Sequence, residues 1–459
     1  MRKLAIVILA ATGAAICAAP SGGFAQQQAG KDAVYDELNL FDQAFERIRE
    51  DAVDPVADNK LVDAAITGML SGLDPHAAYI DPAAYKAMNA PAGPTEAGIG
   101  VAVTLDNGEL RVISPRDGSP AAAGIEPGDL IFAIDKVPTY ELTLAEAEQK
   151  LRGPAGSTVK LTLQRDDQEK PIKLSLTRAA THLQTVRAQV KDGNIGYLRI
   201  AGFDDDTPAA LAAAVQDLRH KTAGKLVGLV LDLRNNPGGS FPDAVAAADA
   251  FLDKGDVALI KGRKPGSIKH IAATPGDLVK GLPIVALVNG GTADEAELVA
   301  GALQDNHRAM LLGTKTYGES DIEAVIPLAS GGAIRLTTTR FTTPDGREIQ
   351  GKGIKPDVTV TPLKIEKLAE EESIHEADLP GALKNPDQPT PTVPAQSATP
   401  APGGKPAPPP GAPAGATLTP NKAAPSVATG DIGGANDEQL TQGLDILRGL
   451  AVYNRRAAG

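Results

Sequence analysis

Short apolar runs alternate with helical segments between about Gly193 and Pro362. In this region "IGYLRI" precedes "PAALAAAVQDLRHK", "LVGLVLDL" precedes "PDAVAAADAFL", and "PIVALVN" precedes a helix that opens near Thr292. Strands that are apolar at nearly every position are typical of a parallel sheet, because helices connect its strands and cover its faces. The region therefore predicts an α/β core around a largely buried parallel sheet.

Two other folded segments are expected before this core. From Val34 to about Met88, apolar residues recur at three- and four-residue spacing, which is typical of helices. His76 lies near the end of that segment and is interpreted as a hydrogen-bonded structural residue. From about Thr95 to Arg178, the alternating runs "GIGVAVTL", "ELRVISP", "LIFAID" and "VKLTLQR" predict a compact β-rich unit with one short helix.

The N-terminus has the pattern of an export signal. Arg2 and Lys3 precede an apolar stretch, and Gly23-Phe24-Ala25 offers the small residues that a signal peptidase requires. We expect a cleaved signal peptide over residues 1–25 and a periplasmic or otherwise exported protein, with a permanent membrane helix as the alternative. Cleavage would remove Cys17, the single cysteine of the chain, so that no thiol chemistry remains.

The C-terminal part of the chain changes composition after Lys384. A linker over residues 385–435 is rich in proline and alanine and buries too little apolar surface to fold, so it is expected to be disordered. An amphipathic helix over residues 437–455 follows, with Leu440, Leu444 and Leu447 on one stripe. Its docking surface, on its own core or on a partner subunit, is left open.

The charge of the chain argues against a nucleic-acid partner. The formal net charge is -12 at pH 7, and no lysine- or arginine-rich run interrupts it. Phosphate backbones require a basic surface, which this sequence does not offer.

Several long motifs resemble the C-terminal processing, or tail-specific, peptidases. They are "LDPHAAYI", "SPRDGSPAAAGIEPGDLIFAID", "LVLDLRNNPGG", "AGALQDNHRAMLLG" and "RFTTPDGREIQGKGIKPD", in the family's order. The resemblance implies an exported serine endopeptidase scaffold that acts on protein C-termini. It also implies an α+β multidomain fold with an N-terminal helical segment over 34–90, a PDZ domain over 95–180 and a crotonase/Clp-protease-like core over 185–365.

The PDZ segment predicts a peptide-binding site. Gly98-Ile99-Gly100 can direct successive backbone N–H groups at a peptide carboxylate, and the strand that starts at Val101 can pair with the peptide. The expected partners are unfolded or exposed protein C-termini, with self-association or an adaptor partner as further candidates.

The residues at the catalytic positions differ from the family pattern. The family's nucleophile is the second serine of a G-S-A-S-A-S-E-like run, its lysine base follows 25 positions later, and a glutamine four positions further on orients the lysine. Here Asp294, Glu319 and Glu323 occupy those positions. Because serine–lysine chemistry needs a hydroxyl and a neutral amine, we expect a proteolytically inactive protein. An active serine-type tail-specific endopeptidase is the alternative.

Neighbouring groups offer weak substitutes. Thr292, Ser240 and Ser320 carry hydroxyls, and Lys315 carries an amine. Thr292 is interpreted as a helix N-cap, with Glu295 three residues later closing a capping box. By resemblance, the backbone N–H groups of Gly238, Gly239 and Glu295 form an oxyanion hole, which the Asp294 side chain is a candidate to occupy.

The clustered acids leave three alternatives open. Carboxylates that converge must share protons or bind a cation, because like charges repel. Asp294, Glu319 and Glu323 are thus a candidate weak Ca²⁺ or Mg²⁺ site with a regulatory role, although no cofactor is required. A proton-sharing or solvated cluster is favoured over this cation site, and an aspartic-protease-like dyad is the third alternative.

Overall fold

The computed structural model describes residues 22–89, 96–166, 168–179, 184–264, 266–361, 432–434 and 436–457. The chain divides into two compact units, Met1–Ala90 with Ala324–Leu336, and Pro91–Glu323 with Thr337–Gly459. The predicted signal peptide up to residue 21 and most of the predicted linker lie outside the described residues. Among the helices of the described part, none is long and apolar enough to cross a membrane.

The helices and strands follow the predicted sequence pattern. The helices are α1 (Gly22–Asp51), α2 (Asp58–Ser71), α3 (Pro82–Met88), α4 (Leu144–Leu151), α5 (Thr207–Lys221), α6 (Phe241–Asp249), α7 (Glu295–Asp305) and α8 (Glu438–Ala457). The strands are β1 (Ala78–Ile80), β2 (Glu96–Ala97), β3 (Val101–Asp106), β4 (Glu109–Pro115), β5 (Leu130–Ile134), β6 (Val137–Pro138), β7 (Gly153–Pro154), β8 (Thr158–Gln164), β9 (Ile172–Thr177), β10 (Val186–Lys191), β11 (Ile195–Ile200), β12 (Gly228–Asp232), β13 (Asp256–Gly262), β14 (Ile268–Ala272), β15 (Ile284–Val288), β16 (Ala309–Gly313), β17 (Asp321–Pro327), β18 (Ala333–Thr342) and β19 (Val358–Thr359).

The smaller unit is mostly helical. Strand β1 pairs in antiparallel fashion with the first residues of β18, with Tyr79 opposite Ile334. The turn before β1 is held by Asp74, whose carboxylate accepts the backbone N–H groups of His76 and Ala77. The carbonyl of His76 accepts a hydrogen bond from Arg335 Nε at 2.9 Å, and the structural role of the His76 imidazole stays a prediction.

The PDZ domain is a six-stranded antiparallel sheet with the strand order β3-β4-β5-β8-β9, and β6 pairs with β5. Helix α4 begins with a complete capping box, in which Thr143 and Glu146 bond each other's backbone N–H groups. Strand β3 lies at the edge of the sheet, so in the described residues its outer backbone groups face no other strand. An edge strand beside a helix is the arrangement that PDZ domains use for peptide binding.

The protease-like core has the sheet order β10-β11-β12-β15-β16-β19, and every pair from β11 to β19 is parallel. Helices α5, α6 and α7 pack on one face through fully buried apolar side chains such as Leu211, Ala247 and Val299. The neighbouring strands β12 and β15 therefore end side by side, which places the turns after Asp232 and after Val288 at one edge. The predicted α+β architecture is confirmed.

Helix α8 covers the other face of this sheet. Leu440, Leu444 and Leu447 are buried against apolar residues of β11, β12 and β15, including Tyr197 and Val230. Gly228 makes room for the helix, since a Cβ there would lie 2.9 Å from Leu447 Cδ2. The C-terminal helix thus docks on its own core, which the sequence left open.

A buried ionic network joins α8 to the PDZ domain through the core sheet. Asp437 accepts two hydrogen bonds from Arg234, at 2.8 and 2.6 Å, and Arg234 also bonds Asp232. Asp232 contacts Arg199, whose Nη2 donates to Asp117 of the PDZ domain at 2.7 Å. Every member of this network has its charge opposed by at least one partner.

Breaking this network is expected to be costly. The change Arg234→Met would leave Asp437 without its partner and weaken the pairing of Asp232, and Arg234 is only 1 % exposed. Loss of one member of a buried pair costs about 3–5 kcal/mol, so thermal unfolding should shift down by many degrees. The control Arg448→Met removes the exposed ion pairs of Arg448 with Asp192 and Asp445 and should have almost no effect. Equal losses in the two variants would contradict the stabilising role of the network.

Candidate functional site

The turn between β15 and α7 holds Asp294 in a strained conformation. Its backbone has φ 47° and ψ −122°, a region that side-chain-bearing residues rarely occupy. Hydrogen bonds fix the turn on both sides: Ala293 N donates to Asn236 O at 2.9 Å, and Tyr317 N donates to Thr292 O at 3.0 Å. A sharp strand-to-helix turn of this kind presents a catalytic side chain in other hydrolase folds. The assignment of the family's nucleophile position to Asp294 stays a prediction.

The capping prediction for this helix was wrong. Thr292 is fully buried, and its hydroxyl donates to Leu233 O at 2.9 Å instead of capping the helix. The helix begins at Glu295, because the strained turn places the N-cap at Asp294. The carboxylate of Glu297 accepts a hydrogen bond from the N–H of the N-cap residue, Asp294. Burial raises the pKa of Glu297, and this hydrogen bond lowers it by less.

Glu297 ties the turn to the loop that carries Glu319. Its fully buried carboxylate accepts hydrogen bonds from the Thr316 hydroxyl, from Gly318 N at 2.9 Å and from Glu319 N at 2.8 Å. Burial raises the pKa of Glu297 to about 7, against these hydrogen bonds. The sequence analysis did not single out Glu297. Its place at the glutamate of the G-S-A-S-A-S-E-like run was the signal that could have identified it.

A side chain of the chain itself lies at the turn that is predicted to form the oxyanion hole. Glu295 Oε2 accepts a hydrogen bond from Gly239 N at 2.9 Å, and Glu295 is only 6 % exposed. The Glu295 backbone N–H bonds the same carboxylate, which counteracts part of the rise in pKa that burial causes. Gly238 N donates to Asn236 Oδ1 at 2.9 Å, so it does not face the hole. The side chain at the N–H of Gly239 is therefore that of Glu295 and not that of Asp294. Gly238 offers no hydrogen-bond donor there, but its lack of a side chain leaves room for the Glu295 carboxylate.

Asp294 and Glu295 form a hydrogen-bonded acid pair. Burial, followed by the negative charges of Glu295 and Glu319, raises the pKa of Asp294 well above its usual range. Burial also raises the pKa of Glu295, so the two carboxyl groups titrate as a coupled pair. The other oxygen of Asp294, Oδ1, is buried and has no hydrogen-bond partner in the part of the chain described.

Glu319 completes the group of protonated acids. Burial raises its pKa to about 8, and the charges of Asp321, Glu297, Glu295 and Glu323 contribute in that order. Glu323 lies exposed on β17, at the edge of this group. Acids with raised pKa values hold protons near pH 7, which favours the proton-sharing alternative. The cation site at Asp294, Glu319 and Glu323 stays a prediction.

The substitute nucleophiles have little access to an amine. Ser320 is fully buried and its hydroxyl bonds Gln350 Oε1 at 3.3 Å, while Thr292 is occupied as described above. Ser240 is half-buried at the start of α6, and the Lys315 side chain is exposed. Across the described ranges, none of these three hydroxyls bonds a lysine.

In the PDZ loop that is predicted to bind a peptide, one of the expected backbone N–H donors is already used. Gly98 N donates to Ala179 O at 3.1 Å and is therefore not available to a ligand. No hydrogen bond within the described segments uses the N–H of Ile99 or Gly100, so these two remain as donors. They lie before Val101, the first residue of the edge strand β3.

Two arginines beside this loop were not singled out from the sequence. Arg152 ends α4, and its Cγ would lie 3.8 Å from a Cβ at Gly98. The backbone N–H of Arg116 donates to Gly100 O at 2.8 Å. Burial and the neighbouring charge of Arg152 lower the pKa of Arg116, which shows that the two cations lie close together. Such a pair attracts an anion.

Tyr317 connects the PDZ strand to the acid group. Burial raises the pKa of Tyr317 to about 12, and its hydroxyl bonds Thr104 of β3. Gly318 and Glu319 follow Tyr317 directly, so the loop that bears the family's base position lies against the peptide-binding strand.

Comparisons with known proteins agree with this architecture. Residues 194–360 match the model of peptidase family S41, residues 111–165 match a PDZ domain, and residues 12–84 match the N-terminal domain of the activating protease CtpB. The carboxy-terminal-processing protease of Bartonella bacilliformis is 41% identical over 353 residues, which cover 76% of this chain and 81% of that protein. The carboxy-terminal processing protease CtpA of Bacillus subtilis is 36% identical over 329 residues, covering 71% and 69%.

A solved structure shows the same fold. The photosystem II D1 C-terminal processing protease superposes with a TM-score of 0.61 at 30% identity and covers 70% of this chain and 86% of that one. Identity at this level over most of both proteins is decisive for descent, and the order of the domains is also the same. The chain therefore belongs to peptidase family S41, among the carboxy-terminal processing proteases that carry a PDZ domain.

Proposed function

We propose that this protein captures exposed protein C-termini through its PDZ domain and does not hydrolyse them. The observation that carries the proposal is the replacement of the alcohol, amine and amide positions by Asp294, Glu319 and Glu323. A pseudoprotease or adaptor of this kind would still bind the family's class of substrates, but it would not cleave them.

The chemistry of the site supports inactivity. Acyl transfer needs an alcohol that a neighbouring base deprotonates, and an empty anion site for the developing oxyanion. Asp294 offers a buried carboxyl group with a raised pKa and no alcohol, and Glu319, whose pKa is raised to about 8, is an acid instead of a neutral amine. Glu295 already fills the anion site.

The alternative is an active serine-type endopeptidase, which the names of the relatives favour. Purified protein incubated with casein distinguishes the two, because the proposal expects no fragments after long incubation. Cleavage would overturn the proposal, and loss of that cleavage in a Ser240→Ala variant would then identify the half-buried serine as the nucleophile.

Tail capture predicts binding that depends on a free carboxylate. A fluorescent decapeptide ending in valine should bind at least about tenfold more tightly than its C-terminal amide, since a charge-assisted hydrogen bond contributes about 1.5–3 kcal/mol. The change Arg152→Ala should remove most of this difference. Lys160→Ala, an exposed residue of β8, is the matched control and should leave it intact. Equal binding of the acid and the amide in fluorescence anisotropy would reject the carboxylate site.

Export follows from the N-terminal signal. We infer that residues 1–25 are removed, and mass spectrometry of the mature protein should find Gln26 as its first residue. A mature N-terminus at Met1 would contradict this inference.

A further inference from the structure

We propose that the notch between Gly238-Gly239 and the first residue of α7 is a carboxylate-binding site that the chain closes with its own Glu295. The inference deepens the proposed function, because it identifies a fourth position that prevents catalysis. Removal of the Glu295 side chain should open the notch to a small carboxylate from solution.

The backbone around the notch is built to leave room for this group. Gly238 has φ 92° and Gly239 has φ 151°, conformations that favour glycine. A Cβ at Gly238 would lie 2.5 Å from Glu295 Oε2, so any side chain there would collide with the carboxylate. The turn is fixed by the hydrogen bonds from Phe203 N to Gly238 O and from Ser240 N to Phe203 O.

The Glu295 carboxylate lies against a backbone donor. Gly239 N donates to its Oε2 at 2.9 Å, and its own backbone N–H and the Asp294 side chain are further hydrogen-bond partners. The notch lies at the N-terminus of α7, where the helix dipole favours negative charge. First-turn acids are usually solvated, whereas Glu295 is 94 % buried by its partners, since only 6 % remains exposed.

An occupant that is part of the chain is difficult to displace. A tethered group competes at an effective concentration far above that of a diffusing peptide, and a carboxylate bears more charge than a peptide carbonyl. Among the described residues, Asp294 Oδ1, next in the chain to Glu295, is buried without a hydrogen-bond partner. Glu295 therefore closes the notch independently of which residues stand at positions 319 and 323.

The test is chemical rescue of a Glu295→Ala variant by formate. Its melting temperature at pH 6 should lie below that of the unaltered protein and rise by a few degrees with increasing sodium formate, more than with sodium chloride of equal ionic strength. The unaltered protein and Glu295→Gln, which keeps an oxygen in the notch, should show no formate-specific rise. If the alanine variant unfolds, Glu295→Ser is measured in the same way.

The outcomes separate this inference from the proposed function. A formate response that is absent from both truncated variants, or equal in all four proteins, would overturn the carboxylate site and leave tail capture untouched. Casein cleavage by the unaltered protein would overturn the proposed inactivity, whatever formate does.

Discussion

The combined variant Asp294→Ser, Glu319→Lys and Glu323→Gln is expected to leave casein intact, and the further change Glu295→Ala is expected to produce cleavage. The three changes restore the family's alcohol, amine and amide. Glu295 accepts the Gly239 N–H in the unaltered protein, and we expect it to keep that donor in the triple variant and to compete with an oxyanion there. Loss of one oxyanion donor costs about 10²–10³-fold in rate, and the two variants should differ by at least that factor.

Fluorescein-labelled casein measures this difference, and circular dichroism verifies that each variant is folded. Glu297 is kept in both variants, because its carboxylate positions the turn and the loop. The control carries Asp294→Ala in place of Asp294→Ser, with the other three changes present, and should be inactive. Equal cleavage by the triple and the quadruple variant would show that Glu295 does not close the notch in solution.

The architecture was predictable because its signals are long. The apolar runs at β11, β12 and β15 recur over many residues, and a parallel sheet follows from their spacing and from the helices between them. The position of Asp294 at the turn followed from a motif of seven residues in which no gap was needed. Such patterns constrain the backbone without knowledge of any side-chain torsion.

The contacts inside the site were not predictable in this way. The capping assignment failed at Thr292, because the positive φ of Asp294 moves the start of α7 to Glu295. Which acid occupies the notch depends on the side-chain conformation of Glu295. That conformation cannot be derived from the identities of the neighbouring acidic residues. The general capping rule does not apply here, because the strained backbone at Asp294 changes where the helix begins.

The docking surface of α8 could not be predicted from the sequence either, because it depends on contacts between distant residues. Its stripe of Leu440, Leu444 and Leu447 predicts an amphipathic helix, but any exposed face of an apolar sheet could receive it. Two contacts determine where α8 docks: that of Leu447 with Gly228 and that of Asp437 with Arg234. Each contact joins residues that are about two hundred positions apart in the sequence.

The protein is expected to lose stability as the pH rises from about 5 to 9. Burial raises the pKa of Glu319 from its ordinary 4.5 to about 8 and that of Glu297 to about 7. The folded state therefore binds more protons than the unfolded state between these values, and the free energy of unfolding falls with pH. This stability is complete below about pH 4.5 and disappears as the pH passes through 7 and 8. The lowered pKa values of Asp117 and Asp232 act only in acid, outside this window.

The change Glu319→Gln should remove much of this pH dependence. A neutral amide cannot acquire charge, so the variant should exceed the unaltered protein at pH 9 by on the order of 2 kcal/mol and differ little at pH 5. Thermal unfolding at both pH values measures the difference, with Glu109→Gln, an exposed residue of β4, as the matched control. Equal pH slopes for the unaltered protein and Glu319→Gln would mean that Glu319 is already ionised in its buried position over this whole pH range. A group of ionised carboxylates would then be present at neutral pH and would need a cation, so that result would revive the metal-binding alternative.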